Sequence, residues 1–398
     1  MNIQLSDDQL EGFEKVMDAL SVDGSVVTLV GPAGSGKTTL VRHIIEELEG
    51  KDTYVQLGAP TGKAALRMSQ VSERSAKTMH KMLYGLASHD DKDNLIFSDP
   101  SAPCMPGDRV VLDEASMIGS KLFTEFQEWV PDESSVLYVG DKEQLTPVND
   151  TWGPDLDNAT ATLTQVHRQA LESPILSFAT AIRQRDGDEW MQNEYDESDK
   201  RVQAYDGIES ASEWLLKQRA ENVDATLLTF THKTRRWLND EVRKQLSLDG
   251  AVISAGDRLM VKANHKYTGL RNGELVTVTD VMMGDEFAQV DIEEFSEPIL
   301  IKVDHVEQDS GTHFRWKKNY WELCKQGRAE WHKAKRLVHV HYGQCLTVHS
   351  AQGSQWDRVG FVWDDKFANL RRRSSEDARR LLYTAVTRAA EELVVVMA

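Results

Sequence analysis

Cysteine and long apolar runs are what this chain has least of. Its three cysteines, Cys104, Cys324 and Cys345, are scattered and odd in number, so they form neither a zinc-ligand pattern nor a disulfide framework. No apolar run approaches the roughly 20 residues of a membrane-spanning helix. The N-terminal residues lack the basic start and apolar core of a signal peptide. We therefore expect a cytoplasmic protein without membrane contact.

Positive charge is also scarce, because 46 Lys and Arg stand against 64 Asp and Glu, for a formal net charge of −18. Taken alone, this balance argues against a nucleic-acid partner. The charge is unevenly spread, however: residues 186–213 are acidic, whereas residues 313–336 interleave basic and aromatic side chains. That second stretch can neutralise phosphates and stack on bases. It can also pack as a helical arm against the body of the protein, which we favour.

A complete phosphate-binding motif is the strongest signal that the chain does carry. Residues 31–38 read Gly-Pro-Ala-Gly-Ser-Gly-Lys-Thr, after the apolar run 26–30 and before a helix-like run at 39–49. In this context backbone N–H groups cradle phosphates at a helix N-terminus, while the lysine reaches the β and γ phosphates. We predict that a nucleoside triphosphate and Mg²⁺ are bound by Gly31, Pro32, Ala33, Gly34, Ser35, Gly36, Lys37, Thr38 and Thr39.

Acidic and amide side chains follow two further apolar runs. The run 109–112 ends in Asp113 and Glu114. After a phosphate loop, Asp113 together with Thr38 is placed to hold Mg²⁺, and Glu114 to polarise the water that attacks the γ-phosphate. The next apolar run, 136–139, leads to Gln144, whose amide can sense the γ-phosphate or its water. This order of residues predicts nucleotide hydrolysis.

The fold class is α/β. Short apolar strands alternate with helical patterns over residues 24–168, which predicts a parallel sheet covered on both faces. A second α/β region begins near Ser173 and resumes after a β-rich stretch at 257–292, which we interpret as an inserted β-barrel. Residues 85–108 contain the apolar island Leu95–Phe97, followed by three prolines at positions 100, 103 and 106. They predict a small hairpin or loop insertion.

Eight stretches occur in an order that is specific to one group of enzymes. They are residues 31–38, 59–65, 78–80, 113–116, 140–148, 167–169, 347–353 and 383–389. Taken together they resemble the motifs of superfamily 1 helicases, specifically the RecD/Dda-like branch of superfamily 1B. The compact size is more similar to phage Dda-type helicases than to bacterial RecD chains.

The resemblance implies a domain plan. Residues 1–170 would form a first RecA-like domain, with residues 85–108 as a hairpin or wedge insertion. Residues 171–250 and 337–398 would form a second RecA-like domain, with ATP bound between the two. Residues 251–336 would form an SH3-like subdomain that carries an aromatic and basic arm at 305–336.

The resemblance also implies roles for individual residues. Gln9 would read the adenine edge, and Gln352 with Gly353 would couple the nucleotide to the DNA track. The set expected to carry hydrolysis is Lys37, Glu114, Gln144, Arg168 and Arg388. The set expected to contact nucleic acid is Pro60, Thr61, His80, Thr347 and His349, with Phe97 as the duplex wedge.

The function implied is an ATP-dependent DNA helicase that moves 5′ to 3′ in DNA replication, recombination or repair. We expect ATP and Mg²⁺ as cofactors, single-stranded DNA and single-strand/duplex junctions as partners, and single-strand-binding or replisome proteins as further candidates. A monomer in the cytoplasm of a bacterium or phage-infected host is expected. Two alternatives share these motifs: a translocase or remodeller that does not separate strands, and a loader whose ATPase acts as a switch.

Overall fold

The computed structural model describes most of the chain. The described residues are 5–50, 53–85, 87–89, 95–97, 104–147, 150–166, 173–184, 201–262, 265, 268–284, 286–293, 295–302, 306 and 337–398. Arg168 and the segment 313–336 lie outside them, as does the side chain of Phe97. Within the described ranges, no helix has both the length and the apolar character that a membrane crossing requires.

The chain divides into two compact units. The first consists of Met1–Val202 and Leu370–Thr387, and the second of Gln203–Asn369 and Arg388–Ala398. The domain boundaries expected from the resemblance stay a prediction.

The first unit is built on a parallel sheet, as the alternating pattern predicts. Its strands are β1 (Val26–Val30), β2 (Val55–Ala59), β3 (Ala76–Thr78), β6 (Arg109–Leu112), β7 (Ser135–Gly140) and β8 (Ala161–Thr162), in the order β3-β2-β6-β7-β1-β8. A separate antiparallel pair consists of β4 (Ala87–His89) and β5 (Leu95–Phe97). The helices are α1 (Asp7–Leu20), α2 (Lys37–Glu49), α3 (Gly62–Ser72), α4 (Met79–Tyr84), α5 (Ser120–Trp129), α6 (Pro174–Gln184) and α11 (Ser375–Val386).

The central strands of this sheet are covered on both faces. Every residue of β7 is buried, as are the last four residues of β1. This burial explains why the sequence shows continuous apolar runs rather than alternation. Because β1, β6 and β7 run parallel, the segments that follow their carboxyl ends meet at one edge of the sheet. Those segments are the phosphate loop, Asp113–Glu114 and residues 141–145.

The second unit contains another mainly parallel sheet. Its strands are β9 (Val202–Asp206), β10 (Ala225–Thr229), β16 (Cys345–Thr347), β17 (Trp356–Trp363) and β18 (Ala389–Met397), in the order β16-β10-β17-β18-β9. The helices that follow in the chain are α7 (Glu209–Ala220), α8 (His232–Gln245), α9 (Val348–Ala351) and α10 (Asp365–Arg373). Asn239 on α8 fixes β16, because its amide donates to the Cys345 carbonyl at 3.0 Å and accepts from the Gln344 N–H at 2.9 Å.

An antiparallel sheet interrupts the second unit, where the sequence predicts a β-rich insertion. Its strands are β11 (Arg258–Val261), β12 (Leu275–Met283), β13 (Phe287–Ile292), β14 (Phe295–Lys302) and β15 (Val340–Tyr342), in the order β14-β13-β12-β11-β15. Its apolar side chains form a separate core that includes Leu259, Val276, Val290 and Ile299.

Candidate nucleotide site and nucleic-acid track

The phosphate loop connects β1 to α2 and requires glycine at several positions. Gly34 and Gly36 have φ angles of 80° and 75°, in the left-handed region where a side chain is disfavoured. A Cβ at Gly31 would lie 2.7 Å from the Ser35 hydroxyl oxygen. That hydroxyl is buried and has no hydrogen-bond partner among the described residues. The loop is therefore a closely built cradle with an unused polar group.

Lys37 begins α2 and turns back over the loop. Its Nζ donates to the Gly31 carbonyl at 2.5 Å and to the Pro32 carbonyl at 2.9 Å. Both acceptors are neutral, so a phosphate oxygen would be a stronger partner for the ammonium group. The lysine is thus held beside the loop in a position from which it can exchange these carbonyls for a phosphate.

The two predicted carboxylates lie at the carboxyl end of β6. The Glu114 N–H donates to Asp113 Oδ1 at 2.8 Å. Glu114 itself has a φ of 55°, which is a left-handed conformation that costs energy for a residue with a side chain. Such strain persists where the surroundings impose it, and it often marks functional sites.

Burial, followed by the neighbouring Glu114 carboxylate, raises the pKa of Asp113 from 3.8 to about 6, while Lys37 and Arg67 act in the opposite direction. A nearby cation would stabilise the ionised form of this buried carboxylate. Asp113 and the exposed Thr38 hydroxyl supply the oxygen ligands that Mg²⁺ takes alongside substrate phosphates and water. The residues present therefore fit a magnesium site.

Arg67 is a charged neighbour of this site that the sequence analysis missed. It lies on the exposed side of α3, and its charge lowers the pKa of Asp113. Its spacing of four residues from Lys63 places both basic groups on one face of the helix. That spacing was the available signal, but a basic residue on a helix surface is too common to single out.

Gln144 lies in the segment that follows β7. Its side chain is 7% exposed, and its Oε1 has no hydrogen-bond partner in the part of the chain that the structure describes. Its backbone carbonyl accepts from Arg380 Nη1 at 3.3 Å, and the next N–H, of Leu145, donates to Thr384 Oγ1 at 3.0 Å. The backbone is therefore fixed while the amide oxygen stays available.

The side chain of Gln9 already makes three hydrogen bonds within the first unit. In a capping box at the start of α1, its Oε1 accepts from the Ser6 N–H at 3.0 Å. Its Nε2 donates to the carbonyls of Ser35 and Gly36 at 3.4 and 3.2 Å. Gln9 is buried and joins α1 directly to the phosphate loop, so reading an adenine edge would require it to exchange partners.

The nucleic-acid candidates of the first unit follow β2 and β3. Pro60 directly follows β2, and Thr61 caps α3, where its hydroxyl accepts from the Ala64 N–H at 3.2 Å. His80 on α4 is exposed, with its ring 6.1 Å from that of Tyr84. The N-termini of α3 and α4 and the exposed His80 therefore lie at the carboxyl edge of the sheet.

The second unit brings Thr347 and His349 together with a histidine that the sequence analysis missed. Thr347 caps α9, where its Oγ1 accepts from the Ser350 N–H at 3.3 Å. Burial, followed by the charge of His232, lowers the pKa of His349. His232 starts α8, separated from the end of β10 by two residues, and β10 pairs with β16 so that Thr229 lies opposite Thr347. The parallel strand ends explain this grouping, which no local motif shows.

Gln352, Gly353 and Arg388 also lie together in the second unit. The guanidinium of Arg388 donates to the Ser354 carbonyl at 3.2 Å, and the Trp356 N–H donates to the Arg388 carbonyl at 3.0 Å. Gly353 has a φ of 72°, which favours glycine there. The Gln352 Nε2 is buried and has no hydrogen-bond partner within the described ranges.

Two families match successive parts of the chain. Residues 4–206 match the family described as an AAA domain. Residues 342–396 match a UvrD-like helicase C-terminal domain. The first match includes the phosphate loop, the two carboxylates and Gln144, and the second includes Thr347, His349 and Arg388.

Two curated relatives that match most of this chain are DNA helicases. The ATP-dependent RecD2 DNA helicase of Deinococcus radiodurans is 29% identical over 385 residues, which covers 94% of this chain and 47% of the relative. The ATP-dependent DNA helicase dda of Enterobacteria phage T4 is 25% identical over 447 residues, which covers 96% of this chain and 97% of the relative. The chain thus spans about half of the first relative and nearly all of the second.

A solved structure shows the same fold at low sequence identity. The Pif1 helicase from Bacteroides, determined in complex with ADP-AlF3 and single-stranded DNA, matches with a TM-score of 0.55 and 15% identity. The match covers 99% of this chain and 92% of the other. It is in keeping with an α/β architecture of two RecA-like domains.

Proposed function

Because this chain belongs to the AAA-domain family and to the RecD/Dda-like branch of superfamily 1B helicases, we propose that it is an ATP-dependent DNA helicase. It moves 5′ to 3′ along single-stranded DNA and separates duplex, in DNA replication, recombination or repair. The observation that supports this most directly is the common sheet edge in the first unit, which carries Lys37, the Asp113–Glu114 pair and Gln144.

The phosphate loop binds the nucleotide through its N–H groups and Lys37, which exchanges its two carbonyl partners for the β and γ phosphates. Thr38 and Asp113 would hold Mg²⁺, which would supply positive charge to neutralise the phosphates. Glu114 polarises the attacking water, and Gln144 orients it or senses the γ-phosphate through its unused amide oxygen. Arg168 and Arg388 stabilise the charge that develops on the transferred group.

Single-stranded DNA is held by residues at the strand ends of both units. Pro60, Thr61 and His80 serve the first unit, and Thr347 and His349 the second. Capping hydroxyls and helix N-termini suit phosphate oxygens, so the grip is independent of sequence and weakened by salt. Gln352 and Gly353 lie in the turn just after His349, where they transmit nucleotide state to this grip.

The remaining parts complete the motor. The β4–β5 pair is the wedge that splits the duplex, with Phe97 as its stacking residue. The five-stranded antiparallel sheet is the core of an SH3-like subdomain, and residues 305–336 form an arm that braces the wedge. The protein works as a monomer on single-strand/duplex junctions, with single-strand-binding or replisome proteins as its candidate partners.

The deciding experiment compares two duplexes, one with only a 5′ single-stranded tail and one with only a 3′ tail, in the presence of ATP and Mg²⁺. We expect strand separation of the 5′-tailed duplex alone. Separation of the 3′-tailed duplex would refute the direction. DNA-stimulated ATP hydrolysis without separation of either duplex would instead identify a translocase or an ATPase switch.

A further inference from the structure

Helix α11 contacts the segment that carries Gln144 through two successive turns of the helix. Arg379 pairs with Glu143, with 2.8 Å between Nη1 and Oε2. Arg380 donates to the carbonyls of Lys142 and Gln144, and Thr384 accepts from the Leu145 N–H. All of these contacts lie within the first unit. The helix therefore sets the path of residues 142–145.

Tyr383, on the same helix, reaches further and contacts the phosphate loop itself. The Ala33 N–H donates to the Tyr383 hydroxyl at 2.9 Å. That hydroxyl donates to Asp141 Oδ2 at 2.7 Å, and Asp141 Oδ1 accepts from the Glu143 N–H at 3.0 Å. A continuous hydrogen-bonded path thus runs from the loop, through one phenol and one carboxylate, to the turn before Gln144.

The groups in this path are shielded from water. Tyr383 is 1% exposed and Asp141 is 2% exposed. Burial, followed by the Asp141 carboxylate, raises the pKa of Tyr383 well above its usual range, so the hydroxyl keeps its proton. It therefore accepts from Ala33 and donates to Asp141 in a fixed order, and in a site of low dielectric each of these bonds is expensive to break without replacement.

We infer that Tyr383 is a positioning residue that transmits occupancy of the phosphate loop to Gln144. When nucleotide settles into the loop, a shift of the Ala33 N–H moves the phenol, the Asp141 carboxylate and the turn that carries Gln144 together. Gln144 is then aligned only when the loop is filled. This inference rests on the proposed ATP hydrolysis, but it makes Tyr383 responsible for alignment and gives it no contact with the reacting atoms.

The test uses Tyr383→Phe, which keeps the buried ring and removes the hydroxyl. Tyr138→Phe is the matched control, because it removes another buried phenol of the first unit, one that accepts from Gln127 at 2.6 Å and lies outside the path. Asp141→Asn interrupts the same path from its other end and guards against a folding artefact in the first variant.

The first readout is amide hydrogen exchange with and without ADP and Mg²⁺, because it does not depend on turnover. We expect ADP to protect residues 141–145 in the wild type and in Tyr138→Phe. In Tyr383→Phe and Asp141→Asn, protection should be confined to the loop. Protection of 141–145 that persists in Tyr383→Phe would overturn the inference.

The second readout is DNA-stimulated ATP hydrolysis. We expect kcat to fall about tenfold or more in Tyr383→Phe through misalignment, with a much smaller change in KM. Adding Gln144→Ala should cause no further loss, because residues that act through one another are not additive. Additive losses of kcat in the double variant, or an equal loss of kcat in Tyr138→Phe, would refute this inference and leave the proposed function standing. Absence of ADP binding by the wild type would refute the proposed function together with it.

Discussion

Lys37 illustrates what one side chain does at this site. Among the described residues its ammonium group donates hydrogen bonds to carbonyl oxygens of its own loop, so removing it breaks no hydrogen bond with another element. We expect Lys37→Ala to fold normally and to lose DNA-stimulated ATP hydrolysis by roughly a hundredfold or more, since a charged transition-state contact disappears. Phosphate release at saturating DNA measures the loss.

Lys15→Ala is the matched control for that experiment. Lys15 lies on α1 in the same unit and pairs with Glu11 at 2.7 Å across an exposed helix face. Exposed pairs of this kind contribute little to stability, so hydrolysis should be unchanged. Turnover that persists in Lys37→Ala would overturn the assignment of the active site.

Residues were predictable from the sequence where a local motif carries them and unpredictable where the fold assembles them. The phosphate loop is contiguous, so its members could be named in advance. His232 and Arg67 gain their meaning from strand ends that meet in space. The bond between Ala33 and Tyr383 joins positions 350 residues apart, and no spacing within one segment encodes it.

The β4–β5 pair can be tested as an element. If it is the wedge, Phe97→Ala should reduce duplex unwinding several-fold while single-strand translocation stays at the wild-type rate, because stacking of an aromatic ring on a base contributes roughly 1–3 kcal/mol. Rapid-kinetic unwinding and translocation assays on the same preparation measure the two rates. Ser88→Ala, on the opposite strand of the pair, is the control. Equal unwinding by both variants would eliminate the wedge.

His265, which lies in the chain between β11 and β12, is expected to make the stability of the protein sensitive to acid. Its Nδ1 lies 2.9 Å from the Thr268 hydroxyl oxygen. Burial lowers the pKa of His265 from 6.5 to about 4, despite a hydrogen bond with the Leu337 backbone that acts in the opposite direction. Between about pH 4 and pH 6.5, the ring is therefore neutral in the folded protein and protonated in the unfolded chain.

We expect this difference to reduce stability as the pH falls from 6.5 towards 4. The unfolded state binds the extra proton, so the free energy of unfolding should decrease by up to about 3 kcal/mol across that window. Urea unfolding of the wild type and of His265→Asn at pH 7 and pH 5 tests this, because the variant lacks the titrating ring. Parallel losses in the two proteins would exclude His265 as the cause.

Elements were predicted best where apolar runs are continuous. The bounds of β1 and β6 agree with the sequence pattern because strands that are buried over most of their length in a parallel sheet appear as continuous apolar runs. Strand β14 lies beyond the β-rich stretch 257–292 that the sequence pattern predicts, and it contains Pro298, a residue that usually argues against a strand. Proline is tolerated there because β14 is the last strand in the order of its sheet.

The net charge of −18 repels DNA phosphates, so DNA binding depends on how charge is distributed over the whole molecule. We expect the affinity for oligo-dT to fall steeply with salt, with a slope of about −0.7 for each phosphate contacted. Thr347→Ala should lower affinity at every salt concentration without changing the slope, because it removes an uncharged contact. Fluorescence anisotropy titrations measure both. A salt-independent affinity would refute a phosphate-based grip.

The chain passes between the two units three times, after residues 202, 369 and 387. Helix α11, which contacts the phosphate loop and residues 142–145, is therefore synthesised after nearly all of the second unit. A nascent chain emerging from the ribosome can fold the sheet of the first unit early, but the contacts of α11 with the phosphate loop and residues 142–145 form only after residues 375–386 appear. We expect this order of synthesis to keep unfinished chains from consuming ATP.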